Sequence, residues 1–397
     1  MKSAIRFLSL FLLALPLIWT SCGDDEGLVP EEFILTENIN DDKTLEDRLD
    51  DPTKADYLVD GDITVYAELR IEPGVVIEFE ANSALIIEEE GTIVADGTTS
   101  KPIVMTGVSK TAGFWRGVLV YSPKITNVLN NVTISYAGGA AVSDIWFDIK
   151  ANLAVDNYSP GKLSISNCTF SHSAGLGVAF DENSVIQAFS NNKFSNNALA
   201  ALRCDAVAIS KLDAGTSFTG SNGFNGVEIV KTYVEELTDI TWPALKDEAP
   251  YKVLEDLELR SGVYVQPGAI FQFGPTRLLT VEVDGFLNAV GTPAQPIVFT
   301  GSVTSAPSWK GILFFSPNIL NKMSYCDVAF AGSDPINDVW LNYKTNIGVD
   351  NYDNAKLELT NSTIRNGGGC GVYVDSGCTL TQSGNTFSSL AAGDICP

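Results

Sequence analysis

Two sets of aromatic, acidic and amide side chains are the strongest candidates for chemistry in this 397-residue chain. They lie in a stretch that is written twice, at residues 115–158 and again, 194 positions later, at residues 309–352. The first set is Asp144, Trp146, Lys150, Asp156, Asn157 and Tyr158, and the second is Asp338, Trp340, Lys344, Asp350, Asn351 and Tyr352. Aromatic faces stack on sugar rings, and Asp and Asn side chains hydrogen-bond to hydroxyl groups. Two sets spaced along one molecule would suit a repeating polymer through avidity.

The same residues also have a purely structural interpretation, which the sequence favours. Trp and Tyr side chains can cover the edge of a repeat, and Asp and Asn fix turns through hydrogen bonds to nearby backbone groups. In both copies this stretch must form the same segment that leaves the regular coil and returns to it. The similarity of the two copies therefore does not require a ligand.

The tripeptides Trp115-Arg116-Gly117 and Trp309-Lys310-Gly311 are a second candidate. A cation beside an aromatic ring could hold an acidic sugar. The alternative, which we favour, is that each Trp packs inside the fold while the cation is solvated.

Repeated carboxylates are a third candidate: Glu88 and Glu90 correspond to Glu282 and Asp284. Alternate residues of a strand share a face, so each pair could act in acid–base chemistry or hold Ca²⁺. A solvated acidic face is the simpler interpretation. The chain has one histidine, His172, which argues against zinc hydrolases and Ser-His catalysis. We therefore assign no catalytic residue, no metal ligand and no cofactor, with Ca²⁺ as the one ion considered.

The elements that would position these residues are short strands in a repeating array. Residues 57–180 align without gaps on residues 251–374, and within each half short apolar runs recur about every 20–25 residues. Each run ends in Gly, Asn, Asp or Ser, as strands joined by tight turns do. Stacked coils of this kind form a solenoid in which each coil contacts only its neighbours.

This pattern resembles the right-handed parallel β-helix of the pectate-lyase-like superfamily, and in particular the β-helix surface lipoproteins of Bacteroidota. The resemblance covers residues 57–397 and implies an all-β, single-stranded parallel β-helix solenoid with an internal duplication. We expect one continuous rod with halves at 57–250 and 251–397. The fold hosts lyases, hydrolases, adhesins and binders. Pectate lyases use Ca²⁺ with an Arg or Lys base, and polygalacturonases use clustered Asp with a His; neither set is complete here.

The N-terminal residues predict where the protein is located in the cell. Residues 1–21 have the basic start and short apolar run of a secretory signal, and Cys22 after two small residues resembles a lipobox. A plain signal peptide with an incidental cysteine is the alternative. The acidic residues directly after Cys22 resemble a surface-export signal. We expect residues 22–56 to form a lipidated acidic tether, with a short capping helix at residues 44–49, and the protein to lie on the cell surface of the outer membrane.

Charge and cysteines limit the partners. The net charge of −24 argues against nucleic acid as a partner, and residues 24–62 carry fifteen acidic and three basic residues.

Six cysteines follow Cys22, with no spacing typical of a metal motif. Buried thiols are favoured, and a terminal disulfide joining Cys396 to Cys370 or Cys378 is the alternative.

These observations predict a monomeric, non-enzymatic surface lipoprotein that binds a polysaccharide or a surface protein, or serves structurally. A polysaccharide lyase or glycoside hydrolase with the same fold is the alternative. The first predicts binding without new products, whereas the second predicts new reducing ends or unsaturated sugars.

Overall fold

The computed structural model describes residues 33–141, 149–230, 233–305, 307–337 and 342–397. Within them the chain winds through five parallel sheets and one small antiparallel hairpin. Sheet A contains β1 (Ile34–Leu35), β3 (Tyr57–Val59), β6 (Val76–Phe79), β9 (Ile103–Gly107), β12 (Val132–Ser135), β15 (Thr169–Ser171), β18 (Lys193–Ser195) and β20 (Ser217–Gly220). Sheet C contains β2 (Lys43–Leu45), β5 (Glu68–Ile71), β8 (Thr92–Asp96), β11 (Val128–Asn130), β14 (Lys162–Ser166) and β17 (Val185–Ser190).

Sheet B is the longest and runs through both halves. It contains β4 (Asp62–Val65), β7 (Ala84–Ile87), β10 (Gly117–Val120), β13 (Ala151–Val155), β16 (Leu176–Phe180), β19 (Ala200–Cys204), β21 (Phe224–Ile229), β24 (Tyr251–Val253), β27 (Ile270–Phe273), β30 (Ile297–Gly301), β33 (Cys326–Ala329), β38 (Thr363–Arg365) and β41 (Thr386–Ser388).

Two further sheets complete the second half. Sheet D contains β22 (Tyr233–Val234), β25 (Leu257–Leu259), β28 (Leu278–Val281), β31 (Gly311–Phe314), β36 (Thr345–Val349), β39 (Cys370–Val374) and β42 (Ile395–Cys396). Sheet E contains β23 (Ile240–Trp242), β26 (Gly262–Val265), β29 (Phe286–Val290), β32 (Lys322–Ser324), β37 (Lys356–Thr360) and β40 (Thr379–Ser383). The hairpin pairs β34 (Ile336–Asn337) with β35 (Asn342–Tyr343), and short 3₁₀ turns occur at Ala208–Lys211, Lys246–Glu248 and Asn351–Asp353.

Each coil therefore contributes one short strand to each of three faces, which is the predicted parallel β-helix. Side chains alternate inward and outward, as in β14, where Leu163 and Ile165 are buried and their neighbours are partly exposed. The inward residues of successive coils form one continuous apolar core along the molecule. The expected all-β solenoid fold is confirmed.

The repeated tryptophans belong to this core. The Trp115 ring stacks on Phe79 with centroids 3.9 Å apart, and Trp309 stacks on Phe273 at 4.2 Å. Their Nε1 atoms donate hydrogen bonds to backbone oxygens at 2.8 and 2.9 Å, and neither ring is exposed. Packing is therefore confirmed for both tryptophans.

The expected solvated cation is wrong for Arg116, which is 20% exposed, pairs with Asp62 at 2.6 Å and donates to the Ala141 oxygen. The glycine of the motif is required because φ is +130° at Gly117, where a Cβ would lie 2.5 Å from a carbonyl oxygen of the next coil.

The rod begins earlier than residue 57. Strand β1 pairs with β3, β2 pairs with β5, and Ile39 and Leu45 are 5% and 1% exposed. The Asp56 carboxylate accepts hydrogen bonds from the backbone N–H groups of Arg48, Leu49 and Val76 at 2.8–2.9 Å. The expected tether over residues 22–56 is thus wrong from residue 33 onward, and the expected helix at 44–49 is wrong. The acidic segment contains enough apolar residues to form a coil. These residues point into the core, while their charged neighbours point outward.

The cysteines fall into two groups. Cys370 and Cys396 form a disulfide that fastens β42 to β39 in the last coil. Cys168, Cys204 and Cys326 are buried thiols, and Cys378 is a partly buried thiol. The predicted buried thiols and the alternative of a terminal disulfide are therefore both correct, each for different cysteines.

The second half is rotated by one face relative to the first. Repeat-related strands occupy different sheets: β3 lies in sheet A but its counterpart β24 in sheet B, and β4 lies in sheet B but its counterpart β25 in sheet D. Sheets A and C end at β20 and β17, sheets D and E begin at β22 and β23, and β21 carries sheet B across by pairing with β19 on one side and β24 on the other. Because sheet B is continuous through both halves, equivalent residues of the two copies face different sides of the rod.

Candidate functional site

The second copy of the repeated stretch forms a groove on the outer face of sheet D. We call it the second aromatic site. It encloses about 380 Å³ and is lined by Leu278, Thr280, Glu282, Leu313, Phe315, Ile336 and Tyr352. Tyr352 is 69% exposed, and its ring meets Phe315 edge-to-face with centroids 5.7 Å apart. An accessible aromatic ring over a partly polar groove is a surface on which a sugar ring can stack.

Strand register explains why these side chains meet. Val281 and Phe314 are paired, buried residues at the ends of β28 and β31, so the residues after them point outward. The Phe315 N–H donates to the Val281 oxygen at 2.9 Å, which places Phe315 beside Glu282.

The floor of the groove depends on a small residue in β36. A Cβ on Gly348 would lie 3.0 Å from Leu313 Cδ1 and 3.7 Å from Ile336 Cδ1. Ile336, from the hairpin, is 1% exposed and packs with Leu313, Phe315 and the partly covered Leu278. The hairpin therefore forms one wall of the groove.

A buried aspartate sets the position of the exposed tyrosine. Asp350 is 2% exposed, and its Oδ1 accepts the Tyr352 N–H at 2.7 Å at the start of the 3₁₀ turn. Asp156 is 4% exposed and accepts the Tyr158 N–H at 2.8 Å. Burial raises the pKa of Asp156, and hydrogen bonds from the following backbone oppose that shift. These aspartates act as turn residues, which is the structural interpretation of this part of the motif.

The first copy repeats the aromatic pair on sheet B. We define the first aromatic site by the repeat partners of five groove residues: Ile86, Glu88, Leu119, Tyr121 and Tyr158. Tyr158 is 75% exposed and meets Tyr121 edge-to-face at 6.5 Å. The Tyr121 N–H donates to the Ile87 oxygen at 2.8 Å, which places Tyr121 beside Glu88. Burial raises the pKa of Glu88.

The lysines of the two predicted sets do not join these sites. Lys150 precedes β13 and Tyr158 lies beyond its other end, and Lys344 and Tyr352 flank β36 in the same way. Each lysine lies six residues before the aspartate that begins the turn, so at ~3.3 Å per residue the two are roughly 20 Å apart. The Lys344 Nζ instead donates to the Ser333 oxygen at 2.7 Å. The predicted sets are therefore not single sites, because the strand between their members is fully extended.

The other predicted residues divide as follows. Asn157 is partly exposed and Asn351 is exposed, both in the turns that carry the tyrosines. Asp144, Trp146, Asp338, Trp340 and the lipidation candidate Cys22 lie outside the described residues. Glu90 and Asp284 are exposed beyond the two sites.

A Ca²⁺ site of the kind that the resemblance implies has no counterpart in the described part of the chain. No three His, Cys, Asp or Glu side chains come together there in a geometry that could hold a metal ion. Glu88 and Glu282 each lie beside an aromatic ring instead.

Sequence reasoning did not single out Tyr121 and Phe315, which complete the aromatic pairs. The available signal was that the two residues are repeat partners, both aromatic, directly before the repeated Ser-Pro turn. Glu88 and Glu282 were singled out as carboxylates but not as neighbours of these rings, because that contact depends on the register between coils.

Residues 39–152 match the family model of a pectate-lyase-like β-helix domain. The match covers less than a third of the chain and, with the long parallel sheets, supports a right-handed β-helix. It begins inside the coil that the sequence had placed in the tether. No curated protein and no solved structure matches the chain at a significant level. No helix among the described residues is long and apolar enough to cross a membrane.

Proposed function

We propose that this protein is a non-enzymatic, surface-displayed β-helix that binds glycans through its two aromatic sites. The observation that carries the proposal is the recurrence of one arrangement in both halves. Each site has an exposed tyrosine held by a buried aspartate, a second aromatic ring in edge contact, and a glutamate beside that ring. Fixed rings supply contact area at low entropic cost, because the turn positions them before the ligand arrives.

The charges favour neutral sugars over uronic acids. Glu88 and Glu282 each contribute a carboxylate to a site, and the whole chain carries a net charge of −24. A uronate would meet like charge at both sites, whereas a neutral sugar can donate its hydroxyl hydrogens to the glutamate. We therefore infer that the ligand is a neutral oligosaccharide with an apolar ring face.

A polysaccharide lyase or glycoside hydrolase is the second candidate, because the matched domain is pectate-lyase-like. Hydrolysis requires two carboxyl groups roughly 5–10 Å apart across the scissile bond. Among the described residues that line the second aromatic site, Glu282 is the one carboxylate. At the second aromatic site, binding therefore has stronger support than hydrolysis.

The experiment uses the soluble form that starts after Cys22. Neutral hexasaccharides (cellohexaose, xylohexaose and mannohexaose) and hexagalacturonate are titrated calorimetrically. Each mixture is then assayed for new reducing ends and for ultraviolet absorption of unsaturated products. We expect at least one neutral sugar to bind without any product. Product formation would establish the enzymatic alternative, and an absence of binding to every neutral sugar would refute the proposal.

We also propose that Cys22 carries the lipid that anchors the protein to the outer membrane, with the rod exposed at the cell surface. Ten residues separate Cys22 from Phe33, so their fully extended reach is at most about 40 Å. The rod is thus held close to the bilayer. Incorporation of an alkyne-labelled fatty acid that is lost in Cys22→Ala tests the anchor. Protease shaving of intact cells tests surface exposure, and protection from the protease would contradict it.

A further inference from the structure

The two aromatic sites face different sides of the rod. The first lies on sheet B, around β7 and β10, whereas the second lies on sheet D, around β28 and β31. Sheet B continues beneath the second half without carrying the second site. Its outward row there contains Lys252, Gln272 and Thr300. One straight polymer lying along sheet B would therefore contact the first site and miss the second.

The axial separation reinforces this difference. Seven steps along sheet B lead from β10 to β30, and β30 belongs to the same coil as β31. At ~4.8 Å per coil, the sites lie roughly 34 Å apart along the rod as well as on adjacent faces. A single chain that occupied both sites would have to bend around an edge of the rod between them.

The rod is rigid enough to preserve this arrangement. The coil that joins the two halves contains β21, which pairs with β19 on one side and with β24 on the other. An ion-pair row also crosses it on the outer face of sheet B. Glu228 accepts Arg203 Nη2 at 2.7 Å from one side, and Lys252 Nζ lies 3.5 Å from its other oxygen. The backbone hydrogen bonds between coils therefore fix the angle between the two sites.

We propose that one molecule of this protein joins two separate neutral polysaccharide chains, one at each aromatic site. The inference rests on the proposed function and adds to it the valency and geometry of binding. Avidity for one long chain requires that both sites reach it together. The one-face rotation opposes that geometry and favours cross-linking.

The test compares wild type with two variants, each disabled at one site. The first-site variant is Tyr121→Ala/Tyr158→Ala, and the second-site variant is Phe315→Ala/Tyr352→Ala. Probes are the neutral hexasaccharide that binds most tightly among the three named above and its soluble parent polymer. Calorimetry gives the stoichiometry with the hexasaccharide, and light scattering reports cross-linking of the polymer.

We expect two hexasaccharides per wild-type molecule and one per variant. Wild type should cross-link the polymer at intermediate protein-to-polymer ratios and lose cross-linking at excess protein, because each protein molecule then holds a chain at only one of its two sites. Each variant should still cosediment with the polymer but should not cross-link it. Sedimentation velocity confirms that all three proteins are monomeric.

Two results would overturn the inference while leaving the proposed function intact. One is a stoichiometry of two without cross-linking, which would show that one chain bends to occupy both sites. The other is cross-linking by a single-site variant, since a second contact elsewhere would then be responsible. Binding of a single hexasaccharide by wild type would overturn both the inference and the assignment of two sites in the proposed function. An absence of any binding would instead refute the proposed function itself.

Discussion

Replacing Tyr352 with alanine should weaken glycan binding while leaving the fold intact. Tyr352 is 69% exposed, and Phe315 is its one described ring contact. A sugar covering one face of the ring would remove about 60 Å² of apolar surface from water, or about 1.5 kcal/mol at 25 cal/mol per Å². That loss corresponds to roughly a tenfold rise in Kd at the second aromatic site. The stability cost should be about 0.5–1.5 kcal/mol, the value of one edge-to-face aromatic contact.

The assay is calorimetric titration with a neutral hexasaccharide in the first-site variant background, so that the second site is observed alone. Tyr352→Phe keeps the ring and should retain affinity within about fivefold, since a hydroxyl adds at most one net hydrogen bond of about 1 kcal/mol. Circular dichroism during thermal unfolding reports the fold.

Tyr264 provides a matched control, because it is also exposed and makes an edge contact, here with Phe286 at 5.2 Å on sheet E. Tyr264→Ala removes the same atoms away from both sites, and because Tyr264 is 37% exposed against 69% for Tyr352, it should cost at least as much stability. An unchanged Kd in Tyr352→Ala, or an equal loss in Tyr264→Ala, would refute the assignment of Tyr352 to a binding site.

Three further predictions concern the rod. Asp56→Ala removes the acceptor of three backbone N–H groups and should lower the free energy of unfolding by about 3 kcal/mol in urea titrations, whereas Asp60→Ala, at an exposed carboxylate, should change it little. Burial raises the folded-state pKa of Asp181 to about 6, above ~3.9 in unfolded chains. The contribution of this carboxyl to the free energy of unfolding is therefore complete below pH ~4 and is lost as pH rises through 6. Asp181→Asn should therefore stabilise the protein by about 1 kcal/mol at pH 7.5, after allowance for solvent screening, but not at pH 4; an equal gain at both pH values would contradict this. A non-reducing peptide map should show Cys370 linked to Cys396, and reduction should speed hydrogen exchange in β42 but not in the first coil.

The coil architecture could be predicted because each coil leaves a local signal. An inward apolar run must be followed by a turn, and Asn at positive φ marks such turns, as at Asn131, Asn167 and Asn191. The first coil escaped prediction because its inward residues, such as Ile39 and Leu45, are isolated among acidic neighbours. Their burial is evident only when the next coil covers them.

The candidate sites could be predicted only in part. The exposed tyrosines were identified from the repeat, but their aspartates proved to be turn residues. The lysines proved to lie at the other end of an extended strand. Proximity along the chain does not imply proximity in a β-helix, because a residue's nearest neighbours are usually those one coil away.

The sequence by itself determined that the chain is a duplicated stack of β-coils with the repeated tryptophans in equivalent environments. Inward packing depends on the local alternation of side chains, and two similar sequences must bury the same residues. Only the tertiary structure decided which faces the two aromatic sites occupy. That outcome depends on which strand of the second half continues sheet B, here β24 rather than β25, and hydrogen bonding between coils is a long-range choice that repeat identity does not encode. The duplication thus gives two similar sites, and the pairing between the halves points them in different directions.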